Sequence, residues 1–172
     1  MTNVNLIPTM FSDIDDIMSW INDPRVTTYF SQMGKISREQ EERYLEKILY
    51  SYNDKLFTIL GTDGIYIGQC SINQIHWPSQ NGRIFMVLKP EFHGQGLALK
   101  VLQALLDIAF NQLKLHKIWL IVRQDNKKGL HLYHRAGFRV EGVLQDEYKL
   151  GDQYLTMVRM AIIENTFRHW FK

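Results

Sequence analysis

The stretch His93-Gly94-Gln95-Gly96-Leu97-Ala98 constrains this chain more than any other. It follows an apolar run, Ile84 to Leu88, and opens a long segment of helical apolar period that begins at Leu97. A strand, a glycine loop and a helix start, in that order, build a cradle for phosphate. The glycines let successive backbone N–H groups turn inward with no side chain in the way. The first helical turn adds N–H groups without intrahelical partners and the positive end of the helix dipole. The loop is therefore expected to hold a pyrophosphate, and the first question is which molecule carries it.

The other bulk features narrow the field. A chain of 172 residues suits one domain, spanning 1–172, with a substantial core. Its 45% hydrophobic and 22% charged residues are ordinary for a globular protein. A net charge of +2 and a pI near 8.6 are too mildly basic to argue for nucleic acid, though they suit an anionic ligand. Cys70 is the single cysteine, which excludes an intrachain disulfide, and its place in an apolar strand reads as a buried, inert thiol. Met1 to Ile7 lacks the basic and apolar regions of a signal peptide, and no run approaches the ~18 apolar residues of a membrane span. A cytoplasmic protein without membrane partners is expected. No group of His, Cys, Asp and Glu has metal-ligand spacing, so no metal is expected.

Periodicity supplies the element order. Asn3 to Ile7 reads as a short strand closed by Pro8. Ser12 with Asp15 resembles a capping box ahead of Ile14, Ile17, Met18 and Ile21, and Asn22-Asp23-Pro24 ends that helix. Ser37 with Gln40 is a second capping box, and Tyr44, Leu45, Ile48 and Leu49 give the next helix its stripe. The period then changes to that of strands. Leu56 to Leu60, Ile65 to Ile75 and Arg83 to Leu88 form an antiparallel meander, with turns at Thr62-Asp63-Gly64 and at Trp77 to Gly82. From Leu97, a broad apolar face of Val101, Leu102, Leu105, Leu106, Ala109 and Leu113 is helical. Ile118 to Val122 is a short buried strand. A helix over Lys127 to Ala136 stops at Gly137, and Phe138 to Val143 and Leu155 to Ile162 are the last strands. The whole predicts a mixed α/β (α+β) domain with a central sheet of about six to seven strands flanked by about four helices.

The loop resembles the acetyl-CoA motif of the GCN5-related N-acetyltransferases (GNAT), Arg/Gln-x-x-Gly-x-Gly/Ala, with His93 in the first place, Gly96 in the glycine place and Ala98 in the last. A second stretch is similar as well: Asn126, Leu130-His131-Leu132-Tyr133, Ala136-Gly137-Phe138 and Glu141-Gly142. The element order matches from end to end. The resemblance implies an acetyl-CoA-dependent N-acetyltransferase with a single GNAT-like domain. Backbone N–H groups of His93, Gly94, Gln95, Gly96, Leu97 and Ala98 would hold the CoA pyrophosphate. The pantetheine arm would lie where the strand Phe85 to Leu88 splays from Ile118 to Val122, along Met86, Val87 and Leu88. A backbone N–H near Met86 or Val87 would polarise the acetyl carbonyl. Asn126 would anchor the next loop and contact the cosubstrate.

Tyr133 is the expected general acid, because a phenol with pKa near 10 is protonated at neutral pH and can donate to the leaving thiolate. The alternative is a packed aromatic. Relatives often carry a Glu near the position of Arg83, and an Arg cannot serve as the base. The base is unassigned, with a backbone-held water, His76 and Glu91 open. At His93, a phosphate donor and an exposed loop residue are both open.

The acceptor is read from the second half. Leu120-Ile121-Val122, His131 to Phe138, Val140-Glu141-Gly142, Gly151-Asp152-Gln153-Tyr154 and Val158-Arg159-Met160 are similar to bacterial spermidine N-acetyltransferases. Trp20 to Val26 resembles a segment of the ribosomal-protein N-terminal acetyltransferase branch and of amino-sugar acetyltransferases. A polyamine such as spermidine is the favoured acceptor. Polycations need carboxylates, however, and acidic meander positions of polyamine enzymes appear here as Gln74 and Arg83. Glu39, Glu41, Glu42 and Glu46 read as a solvated helix face, with Glu91, Asp146 and Glu147 as further acidic candidates. An N-terminal α-amine or a nucleotide-linked amino sugar, with Arg25 and Arg83 for its phosphates, is the alternative. A non-catalytic CoA-binding module is the alternative of another class. A homo-oligomer, dimer or larger, is expected, and the aromatic end from Phe167 to Phe171 packs either on a partner or on its own core.

Overall fold

The computed structural model describes residues 4–30 and 34–170. Of the residues named above, Asn3, Phe171 and the side chain of Trp170 lie outside them.

One seven-stranded sheet carries the fold, in the order β1-β2-β3-β4-β5-β7-β6. Its strands are β1 (Val4–Pro8), β2 (Lys55–Gly61), β3 (Tyr66–His76), β4 (Asn81–Leu88), β5 (Lys117–Arg123), β6 (Arg139–Leu150) and β7 (Gln153–Ile163). The helices are α1 (Ile14–Met18), α2 (Pro24–Thr27), α3 (Arg38–Leu49), α4 (Leu97–Asp107), α5 (Lys127–Arg135) and α6 (Glu164–Trp170). The mixed α/β architecture and the antiparallel meander β2-β3-β4 are as the periodicity predicts. Only β4 and β5 run parallel.

Two apolar clusters flank the sheet. On one side α4 buries Leu97, Val101, Leu102, Leu105 and Leu106, at helical spacing, over Cys70, Ile72 and Ile118. On the other side α1 and α3 pack Ile14, Ile17 and Leu45 with Trp20 and Val87. Trp20 Nε1 donates to the Tyr66 hydroxyl at 3.1 Å, which satisfies both buried polar atoms. Cys70 is fully buried, and burial pushes its thiol far up from the ordinary value.

Local chemistry moves several boundaries. Ser37 and Gln40 form their capping box, with Gln40 N–H donating to Ser37 Oγ at 3.2 Å and Ser37 N–H to Gln40 Oε1 at 2.8 Å. Ser12 and Asp15 do not. Asp13 instead accepts from Met10 N–H at 3.1 Å and from Thr58 Oγ1 at 2.6 Å, which starts a 3-10 turn at Phe11 and ties it to β2. Asp23-Pro24 ends one helix but begins the short α2, because Asp23 Oδ1 accepts from Arg25 N–H at 2.8 Å and Pro24 suits a first helical position. Asn81-Gly82 belongs to β4. The turn before it is made by Trp77–Ser79 and by Gln80, whose φ is +49°. The helical period after Asp107 continues as a π-turn, Ile108–Gln112. The sequence also conceals α6, whose Phe167 ring lies 5.2 Å from that of Phe110, so this part of the aromatic end packs on its own core. With α2 and α6 the helices exceed the expected four. No helix among the described residues is long and apolar enough to cross a membrane.

The tightest point of the sheet is Gly68, where β3 meets β4. A Cβ there would lie 2.2 Å from the Val87 carbonyl oxygen and 2.9 Å from Leu88 Cα. Both are backbone, so neither can rotate away. Gly68→Ala is expected to cost about 3 kcal/mol, read as a lower urea midpoint at an unchanged m-value.

Candidate active site

The site begins where two strands stop pairing. β4 and β5 are in register at Asn81↔Lys117, Gly82↔Ile118 and Arg83↔Trp119, and at no pair beyond. Past that point β4 stays with β3 up to Leu88, and β5 stays with β7 up to Arg123. The expected splay is therefore present. Lys89 N–H donates to the Ile67 carbonyl at 2.8 Å. Hydrogen-bonded and non-bonded pairs alternate along an antiparallel ladder. The peptide groups of Val87 and Phe85 thus face β3, while those of Met86 and Leu88 face the gap. Of the two positions expected to polarise a carbonyl, Met86 is the one aimed into the gap.

A cavity of 370 Å³ occupies the gap and the loop beyond it, lined by Met86, Val87, Leu88, His93, Gly94 and Gly96 among others. Leu97, Ala98, Asn126 and Tyr133 complete the expected set around the same cavity. Gly94 and Gly96 have φ of +75° and +74°, the left-handed region that favours glycine, and a Cβ on either would meet nothing within 4 Å. The glycines are thus needed for backbone direction, and the loop they shape is open to a ligand. Gln95 is the exception among the loop residues. Its side chain turns away, donating to the Glu91 carbonyl at 2.7 Å. His93 directs its ring to the strand, with Nε2 2.8 Å from the Leu88 carbonyl oxygen. That contact caps one of the two peptide groups β4 leaves open.

Asn126 holds the start of α5. Its Oδ1 accepts from Gly129 N–H at 2.9 Å, and a Cβ on Gly129 would strike the Asn126 amide at 2.8 Å. The helix so begun carries Tyr133 to the cavity. The Tyr133 ring meets Phe138 edge-on at 5.8 Å, and burial pushes its phenol up to about 12. It therefore stays protonated across the neutral range.

A second cavity, of 650 Å³, lies on the α1–α3 side of the sheet. Tyr29 and Phe30 line both cavities, and Phe30 stacks edge-on to Phe85 of β4 at 5.7 Å. The second cavity is floored by the alternating polar residues Gln69, Ser71 and Asn73 of β3, with Arg83 of β4 beside them. Among the described residues its one carboxylate is Glu41, which is 5% exposed and whose pKa burial raises. Glu39 and Glu42 do form the expected solvated face, paired with Arg43 and Arg38. Arg25 is held by Asp23 at 2.6 Å and lines the first cavity instead. Gln74 sits on a bulge with φ of +52°, bonded to Asp54, outside both cavities. His76 is exposed and Glu91 pairs with Lys89 at 3.1 Å. No cluster of three or more His, Cys, Asp or Glu among the described residues is arranged for a metal ion.

Parted parallel strands, a left-handed glycine loop at their open end and a phenol thus come together at one cavity. The family model for the acetyltransferase (GNAT) domain matches residues 3–139, and the chain belongs to that family of acetyltransferases. Among relatives, the spermidine N(1)-acetyltransferase of Escherichia coli K12 is 28% identical over 166 residues, covering 96% of this chain and 88% of that protein. A probable N-acetyltransferase of Bacillus subtilis, YjcK, is 31% identical over 142 residues, 81% of this chain and 76% of its own length. The crystal structure of the Vibrio cholerae spermidine N-acetyltransferase with CoA and spermine superposes with a TM-score of 0.91 at 25% identity, covering 96% of this chain and 98% of that one.

Tyr29, Phe30, Gln69, Ser71 and Asn73 are absent from the sequence-based site. The polar period of two inside an otherwise buried strand is the signal that marks the last three. Glu41 was legible only as one acid of a helical face.

Its burial has a definite sign. A folded-state pKa above the unfolded value means that ionisation costs more in the folded protein. The penalty is absent below the unfolded pKa and grows as pH rises through the folded one. Glu41→Gln is expected to raise Tm at pH 7.5 and to leave it near wild type at pH 4, as calorimetry at the two values would read.

Proposed function

We propose that this protein moves the acetyl group of acetyl-CoA to the primary amine of a small molecule, in the cytoplasm where that donor is available. The relatives named for spermidine make a polyamine the acceptor class favoured by kinship. The observation that carries the reading is the shared cavity of the open β4 edge, the glycine loop and Tyr133.

The residues divide the work. N–H groups from Gly94 to Ala98, with the first turn of α4, take the pyrophosphate, since the expected His93 N–H already donates to the Pro90 carbonyl at 3.1 Å. The Met86 carbonyl and the Leu88 N–H take the amides of the pantetheine arm, as a neighbouring strand would, the Leu88 carbonyl being held by His93. The Met86 N–H is positioned for the thioester oxygen, where charge develops as the amine attacks. Asn126 fixes the start of α5 and the wall beside the arm. The neutral amine forms the new C–N bond, the C–S bond breaks, and the thiolate takes the Tyr133 proton. The proton lost by the amine returns to the phenolate through water. Burial that raises the phenol's pKa also raises that of a thiolate formed beside it, so the two stay matched for transfer.

The test is release of free thiol from acetyl-CoA with an amine panel of spermidine, an amino sugar nucleotide and an N-terminal peptide. Acceptor-dependent thiol is expected. Tight CoA binding without it overturns the reading and leaves a binding module. Tyr133→Phe is expected to lower kcat about a hundredfold with little change in CoA affinity. Equal activity in that variant removes Tyr133 as the acid.

We further propose that the chain self-associates through β6. This strand ends the sheet, and Val140 and Val143 are more than half exposed on it. An unpaired edge with exposed apolar residues favours pairing with another copy. Sedimentation should give a dimer or larger species, and Val143→Lys should shift it toward monomer. A wild-type monomer at micromolar concentration would overturn this.

A further inference from the structure

The 650 Å³ cavity adjoins the glycine-loop cavity at Tyr29 and Phe30 and would receive the acceptor, and it holds polar groups that nothing among the described residues satisfies. Gln69 is 6% exposed, yet its Nε2 has no hydrogen-bond partner. Arg83 Nε and Asn73 Oδ1 are buried without partners in the same cavity. Buried polar groups are almost always paired, and leaving one unpaired costs about 1–3 kcal/mol. Asn73 and Arg83 are a register pair on neighbouring strands, and Gln69 sits four residues along β3, opposite Val87.

The charges around them agree in sign. Among the described residues no carboxylate pairs with Arg83, whose guanidinium lies 5.8 Å from the Trp119 ring. Arg159 stacks on the same ring at 4.2 Å. Lys35 also lines the cavity, and no ion pair among the described residues engages it. Three carboxylates bear on this region. Asp54 lies outside the cavity lining, near Tyr44, where it accepts from Ser51 Oγ and from the Gln74 N–H. Glu141 is engaged by Lys117 and by Arg159, the latter at 3.4 Å. Glu41 is the one carboxylate on the cavity wall, and its burial disfavours the charged form. A polycation would meet an unpaired arginine and lysine here. An anionic oxygen group would satisfy the arginine, in the fork geometry that suits guanidinium.

We infer that this cavity is built for a primary amine that also carries an anionic group, a carboxylate or a phosphate, held by Arg83, with Lys35 adding positive charge to the same cavity. The amine half of this inference rests on the acetyl-transfer reading above; the anion half does not. The cavity thus departs from the acceptor that kinship favours.

Three acceptors of similar length, 3-aminopropyl phosphate, 4-aminobutyrate and butylamine, and the longer polycation spermidine separate the alternatives, each with saturating acetyl-CoA. The phosphate or the carboxylate is expected to exceed butylamine in kcat/KM by about tenfold or more, and whichever leads identifies the anion. Arg83→Gln should collapse that ratio, and Arg83→Lys should restore part of it. Calorimetric binding of the same amines to the CoA-loaded protein reads the same preference without turnover. If no amine is acetylated but the anionic ones still bind through Arg83, the transfer reading fails and the anion site stands. Spermidine as the best acceptor, or an anionic preference untouched by Arg83→Gln, overturns the inference.

Discussion

The structure turns on the parting of β4 from β5 after Arg83↔Trp119. Each strand keeps its other neighbour, β3 for one and β7 for the other, so the sheet divides without either half losing its own ladder. The backbone of a strand must find partners for its N–H and C=O groups. Opening a parallel pair in mid-sheet therefore creates a slot whose walls are peptide groups at strand spacing, already fixed in direction. A ligand containing amides can replace the missing strand at small entropic cost, since the protein side is ordered beforehand.

The same strand serves both cavities because successive residues alternate in direction. Arg83 and Phe85 face the acceptor side, while the Met86 and Leu88 peptides face the gap. The two cavities thus adjoin across a single strand, and Tyr29 and Phe30 line both. The register of β3 and β4 therefore matters to chemistry as well as to stability. A slip by one residue would send Arg83 to the core and turn the Met86 peptide to β3.

The parts of the fold with strong period were legible. The stripe of α4, the meander and the Ser37–Gln40 box follow from spacing and capping chemistry, and the glycine loop declares its own conformation. What escaped depends on partners distant in sequence. Asp13 takes over from Ser12 because Thr58 reaches it from β2. Gly82 enters a strand although Asn-Gly favours a turn, because Gln80 makes the turn and Gly82 fits closely against Ile72, to which a Cβ would lie 3.1 Å away. The donor side of the site is local, a loop and one short helix, and could be read from the residues. The acceptor side is assembled from α3, β3, β4 and the segment around Tyr29, so no single stretch announces it.

In the proposed reaction each turnover leaves a CoA sulfhydryl beside the polypeptide, and under oxidising conditions such a thiol forms mixed disulfides with accessible protein cysteines. Cys70 lies in β3 next to the strand that borders the donor, yet it is fully enclosed and held as the neutral thiol. The folded chain consequently offers its own product no sulfur to trap, and it can release CoA through an oxidative episode without becoming covalently coupled to it.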